Sequence, residues 1–296
     1  MRQRQSASHT LTYRTRVVQQ DREDEILCAY SALMNCAKRT LYAALCTGHS
    51  PGELKSRYLK EFGITARQFN SIRVDIEGMI ASVQERQKGQ LKLLDSKIAS
   101  LERFLKRAKP ERQAFITHQK KRRLVHLTRK REKLAQQLAE GKTSICFGSR
   151  KLFHSQFDPV ANGFATHDHW RADWVAARSS NFFILGSKDE TSGNQTVTAM
   201  LQEDGSLSLR LRLPNALSQY GKYLTLTSVR FAYGHDHIVA ALHDNSPVAF
   251  SYRFLRDRKG WTIFLTLPFE RPTIYQSYLE NRLYAWPTPR DLTIKN

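Results

Sequence analysis

ICFGSRKLFHSQ, residues Ile145 to Gln156, divides the chain into two kinds of pattern. Before it the apolar residues recur at helical spacing and the surface is densely basic. After it, from ARSSNFFILGSKDETSGNQ (Ala177 to Gln195) onward, they alternate with period two, as in strands half-buried in a sheet. Such a change of period marks two structural parts meeting. The basic residues at the junction, Arg150, Lys151, Arg178 and Lys188, stand where both parts could reach one ligand.

Working back from the junction, Leu94, Ile98, Leu101 and Leu105 are spaced 4, 3 and 4 apart. Lys109-Pro110 then breaks the helix, and Leu124, Leu127, Leu134 and Leu138 continue the same heptad frame with Arg131 in the missing slot. Two heptad-patterned helices joined at a proline turn predict an antiparallel helical hairpin. From Lys106 to Lys133 its surface carries twelve Lys and Arg against two Glu. A solvated helix face mixes signs to gain i,i+4 pairs. This one cannot, so Arg122, Arg123, Arg129 and Lys130 are candidate phosphate contacts.

Closer to the N-terminus, Thr10 to Val18 alternates like a first strand. Asp21 offers an N-cap for a helix through Leu33 and Leu41 to Gly48. Ser50 and Pro51 start a second helix as N-cap and N1 proline, and Thr65 caps a third. The break at Gly63 gives a helix-turn-helix outline with Arg67 and Arg73 exposed, an outline most helical hairpins share without binding anything.

Beyond the junction, SLSLRLRLP places Leu207, Leu209, Leu211 and Leu213 on one face and Ser206, Ser208, Arg210 and Arg212 on the other. EDGS (Glu203 to Ser206) signals a hairpin turn. Further strands are expected at Asn181 to Leu185, Thr196 to Gln202, Tyr223 to Phe231, His237 to His243, Val248 to Leu255 and Trp261 to Leu267. Their number and spacing predict a small antiparallel barrel whose polar face bears Arg210, Arg212, Arg253 and Arg256. The expected fold class is α+β, a small OB-like antiparallel β-barrel interrupted by an inserted basic helical bundle with a long hairpin. The divisions are 1–20, first strand; 21–144, helical lobe; 145–269, rest of the barrel; and 270–296, irregular tail.

The net charge of +20 over 296 residues and a pI near 10.0 call for an anionic partner, and counterion release makes nucleic acid the strongest choice. An acidic membrane is the weaker alternative, because no stretch sets a clean apolar face beside a basic one; no run of 18 or more apolar residues exists, and the N-terminus lacks the apolar core of a signal peptide. A cytoplasmic protein, associated with the nucleoid when bound to its target, is expected. Cys28, Cys36, Cys46 and Cys146 form no CxxC pair and are expected to be free thiols. Two His-Asp-His triplets, at His167 to His169 and His235 to His237, could each chelate a metal if they lay in strands; polar loop histidines are the plainer expectation, and no metal site is assigned. The carboxylates are scattered in caps and turns, so no catalytic residue is assigned either.

GITARQFN, CFGSRKLF, W..DW..ARSS.FF.LGSKDETSGNQ, EDGSLSLRLRLP and SYRFLRD..GW together resemble the N-terminal half of TnpB-family proteins, the OrfB-type insertion-sequence transposases related to type V CRISPR effectors. The resemblance spans roughly Leu11 to Leu267. It implies a wedge barrel interrupted by a helical recognition lobe, the two gripping a guide RNA and a target DNA flanked by a short motif. Asn194 and Gln195 would then contact a base edge or ribose. The family's RNase H-like domain and zinc ribbon have no counterpart in RPTIYQSYLENRLYAWPTPRDLTIKN at the C-terminal end. The resemblance therefore implies guided binding without a nuclease centre in this chain. Alternatives are one half of a split endonuclease, with a separate nuclease chain as partner, and a general basic RNA-binding remnant. No cofactor is expected here; Mg would belong to the separate nuclease domain.

Overall fold

The first strand and the last one described pair with each other, and that closure organises the molecule. The computed structural model describes residues 9–17, 20–187, 194–243 and 248–269. Lys188 and the segment 270–296, read above as an irregular tail, lie outside them. Strand β1 (His9–Arg16) runs antiparallel to β7 (Gly260–Phe269), with Leu11 opposite Leu267 and Tyr13 opposite Leu265. Next come β6 (Ser251–Asp257) and β2 (Asn181–Ile184), giving a four-stranded sheet ordered β1-β7-β6-β2. Between β1 and β2 in the chain lies nearly all the helical structure, so the helices are an insertion between two strands of one sheet.

A second, three-stranded sheet holds β3 (Val197–Leu201), β4 (Leu207–Arg212) and β5 (Tyr223–Val229). The class is α+β with antiparallel sheets. Among the described residues, however, the seven strands form two hydrogen-bonded sheets and do not close into one barrel. Alternation decides which face of a strand is buried; it does not decide its neighbour. In β4, Leu207, Leu209 and Leu211 are wholly buried as expected, with Val197 and Leu224 opposite Leu211. Gln202 N donates to Ser206 O across the EDGS turn (2.8 Å).

The helices start where short polar side chains can satisfy their free N–H groups. In α1 (Asp21–Cys46) the cap is Gln20, not Asp21: Gln20 N donates to Glu23 Oε2 (3.0 Å), and Asp21 becomes the first helical residue, adding negative charge at the helix N-terminus. Ser50 caps α2 (Pro51–Glu61), and Thr65 caps α3 (Ala66–Arg107) through a reciprocal pair with Gln68. The turn between these two helices fits closely against the second sheet's connection. Gly63 has φ +57°, its carbonyl accepts from Ala216 N, and a Cβ there would meet Ala216 at 2.9 Å.

Helix α3 has 42 residues, a rise of ~63 Å. Its first part buries Phe69, Ile72 and Ile76 in the same core as α1, α2 and both sheets. The rest leaves that core and pairs with α4 (Pro110–Ala139) as the predicted hairpin. Leu94 and Leu101 are buried in its seam, and Arg131, the heptad exception, reaches across to Asp95 Oδ1 (2.9 Å).

The strand expected at His237 to His243 is instead a helix, α7 (His235–His243). Ile238, Val239 and Leu242 pack on the core, a spacing of 1 and 3 that suits a helical face. The remaining helices, α5 (Arg150–His154) and α6 (His167–Arg178), follow the junction segment.

Candidate nucleic-acid interface

The exposed edge of the four-stranded sheet, β2, is covered by polar side chains from the helices. Asn35 Nδ2 of α1 donates to Asn181 O (2.6 Å), Ser31 Oγ donates to Ser179 O (2.6 Å), and Leu185 N donates to Ser71 Oγ of α3 (3.0 Å). These contacts fix α1 and α3 against the sheet edge. Just above them, Asp75 of α3 joins three elements: its Oδ2 lies 3.0 Å from Lys38 Nζ of α1 and its Oδ1 2.7 Å from Arg253 Nη2 of β6. Burial pushes the Asp75 carboxyl up, but the charges and hydrogen bonds of Lys38 and Arg253 outweigh it and hold it below its usual value. Burial pulls Lys38 below the usual lysine value despite the carboxylate beside it.

Where the hairpin leaves the sheet, this arrangement opens into a groove. One cavity of about 800 Å³ runs between the hairpin root (Arg86, Gln87, Gln90, Leu134), the junction residues Ser144 to Cys146 and Arg150, and the sheet edge at Phe183 and Arg253. A second, of about 610 Å³, continues past Lys38, Gly148, Arg178 and Arg256. A third, of about 430 Å³, ends among Phe153, His154 and Trp174. Across these linings Lys38, Arg86, Arg150, Arg178, Arg253 and Arg256 face the single carboxylate of Asp75. The cavities are therefore electropositive and suited to phosphate.

The junction segment reaches this place because α1 anchors it. Tyr42 OH donates to Thr143 O (2.7 Å) and accepts from Ile145 N (3.2 Å), and its ring meets Phe147 edge-on. Gly148 then takes φ +94°, with Trp174 Cζ3 and Arg178 Cγ 3.1 and 3.2 Å from where a Cβ would stand. Two buried polar atoms of residues in these linings, Gln87 Oε1 and Arg178 Nε, have no hydrogen-bond partner among the described residues.

The structure brings together part of the candidate set. Arg150, Arg178 and Arg253 line the groove, and Lys151 is exposed on α5 beside it. Arg253, Asp75 and Asn181 are already linked, with the guanidinium over Phe183 (5.2 Å), so Arg253 positions the groove wall while its half-exposed edge faces the cavity. On the hairpin, Arg122, Arg123, Arg129 and Lys130 are exposed, and among the described residues no carboxylate lies within ion-pair distance of them. Arg73 is paired with Glu77 one turn on, and Arg67 is half-buried and already engaged within the chain, so the helix-turn-helix outline presents neither as a free cation. Arg210 stacks over Tyr223 (4.9 Å) on the second sheet; neither it nor Arg212 lines the groove.

Asn194 is a correction. It is wholly buried, its Nδ2 donating to Phe250 O (2.8 Å) and its Oδ1 accepting from Thr196 N and Val197 N, so it fixes the start of β3 and cannot reach a base. Gln195 beside it is exposed. Arg256 is also committed internally, to Asp24 of α1 (2.7 Å), which in turn accepts from Trp261 Nε1. Both His-Asp-His triplets open helices, not strands or loops. Residues i and i+2 there point ~200° apart, so neither pair converges on one ion. His235 Nε2 lies 2.7 Å from Gly205 O and His237 Nδ1 2.9 Å from Tyr13 OH. Among the described residues no group of three or more His, Cys, Asp or Glu could hold a metal ion, and no helix is long and apolar enough to cross a membrane.

The sequence reading missed Arg86, Gln87 and the Lys38–Asp75 pair. The pair had a signal: Lys38 lies on the apolar stripe of Met34 and Leu41, and Asp75 lies between Ile72 and Ile76. Scanned against known protein families and curated protein sequences, the chain matches none.

Proposed function

We propose that this protein binds a structured RNA and, through base pairing by that RNA, a DNA target, following the TnpB-like organisation its sequence resembles. One observation carries the reading. Among the described residues the long hairpin presents Arg122, Arg123, Arg129 and Lys130 with no carboxylate within ion-pair distance, and its root opens into a groove whose six lining cations are met by two carboxylates, Asp75 and Asp24. Like charges crowded on a folded surface repel one another, and a polyphosphate relieves that repulsion while releasing its own counterions.

In this reading the two sheets correspond to the wedge of the family and the helical insertion to its recognition lobe. Lys and Arg contacts recognise RNA shape and backbone, and sequence is read by base pairing. The test is to purify the full chain from its native host and sequence the RNA that accompanies it. One dominant structured RNA with a defined guide segment is expected. A smear of ribosomal and messenger fragments would overturn guided binding and leave a general RNA binder.

A further inference from the structure

Beyond the phosphate-binding surface, the inner end of the groove has the chemistry of a base pocket. The lining of its roughly 430 Å³ cavity includes Phe147, Phe153, His154 and Trp174, with Arg150 and Arg178 beside them and no carboxylate. That volume falls within the usual range for sites that take small ligands. Phe153 is 40% exposed, with its ring 5.6 Å from that of Trp174, so part of an aromatic face is left uncovered at the rim.

The pocket is held in place rather than formed by chance contact. Trp170 Nε1 donates to Leu152 O (2.7 Å), tying α6 to α5, and Trp170 stacks on Trp174 at 12°. Arg178 lies over the Trp174 ring at 5.3 Å, which holds its guanidinium against the aromatic wall of the cavity that it lines.

We propose that this pocket takes one unpaired nucleotide, its base stacked on Phe153, a base acceptor atom meeting the Arg178 guanidinium, and the adjoining phosphate meeting Arg150. The proposal rests on the nucleic-acid reading above and adds to it a requirement for an unstacked base. Every base has a π-face and an acceptor edge, so recognition here tolerates sequence but demands that the base be free of a helix.

The test uses the full chain and two hairpin RNAs, identical except that one carries a single unpaired 2-aminopurine bulge. Binding is followed by anisotropy and by 2-aminopurine fluorescence at one fixed salt concentration. The bulged RNA is expected to bind ~10-fold tighter, with quenching of the probe. Phe153→Ala should abolish the preference and the quenching, and Phe153→Trp should keep both. Repeating the pair as DNA identifies which nucleic acid supplies the nucleotide; a bulge preference in either supports the pocket. Equal affinity for bulged and paired forms, or a preference that survives Phe153→Ala, overturns it while nucleic-acid binding stands. Failure to bind any of the four would overturn the nucleic-acid reading as well.

Discussion

Replacing Asp75 by alanine leaves a buried ammonium without its counter-charge. The Lys38 side chain is 7% exposed and depends on Asp75 at 3.0 Å, whereas Arg253, at 42%, can turn to water when the carboxylate is removed. Breaking a buried pair at one partner costs ~3–5 kcal/mol. Lys38 has one escape, which is to lose its proton; from an ordinary value of 10.5 this costs ~5 kcal/mol at pH 7 and so caps the loss. Equilibrium urea unfolding of Asp75→Ala at pH 7 should therefore show a loss of ~3–5 kcal/mol. The double variant Lys38→Met/Asp75→Ala should recover much of it, because no buried charge remains. In the single variant the unfolded chain binds more protons at Lys38 than the folded one, so stability should rise as pH climbs toward 10.5. A loss below ~1 kcal/mol, as at an exposed ion pair, or a deficit that ignores pH, would refute this account of the groove wall.

Other outcomes follow from single contacts. Neutralising Arg122, Arg123, Arg129 and Lys130 to glutamine should flatten the slope of log affinity against log salt by ~3 to 4 for a duplex, without lowering Tm, since none of the four has an ion-pair partner among the described residues. Gly148→Ala forces a Cβ into contact with Trp174 and Arg178 at φ +94°, and thermal unfolding should show a loss of ~1–3 kcal/mol. Asn194→Ala orphans two buried N–H groups and should cost ~2–5 kcal/mol by urea unfolding, with RNA affinity of the folded protein unchanged. Arg16 holds the Asp257 carboxyl down at about 2 by direct hydrogen bonding, so the pair adds stability above the ordinary value of 3.8 and loses it as pH falls toward 2. The difference in Tm between wild type and Asp257→Asn should shrink over that interval.

Local chemistry was legible where it is self-contained. Ser50 and Thr65 cap helices as their positions demand, and the alternation of Leu207, Leu209 and Leu211 gives the buried face of β4. What the sequence hides is set by partners far along the chain. Alternation could not show that β1 pairs with β7 while β3, β4 and β5 form a sheet of their own. HIVAALH fits both periods, and the packing of Ile238 and Leu242 on the core selects the helix. Asn194, in a stretch of Ser, Gly and Asn, has the composition of an exposed loop, yet its side chain replaces the backbone partners that β3 lacks. The hairpin's run of exposed cations could be read directly from charge density, and Arg150 from its place at the junction. The groove could not, because its wall depends on the meeting of Lys38, Asp75 and Arg253 from three separate elements.

The central claim is that the basic hairpin and the junction groove together form one nucleic-acid interface. Ultraviolet cross-linking of the full chain to its co-purified RNA, with the linked peptides located by mass spectrometry, tests it most directly. Cross-links should concentrate between Lys120 and Lys133 and between Ile145 and Phe157, the two stretches that carry exposed cations and rings. Cross-links confined to the second sheet, around Arg210 and Tyr223, would contradict it.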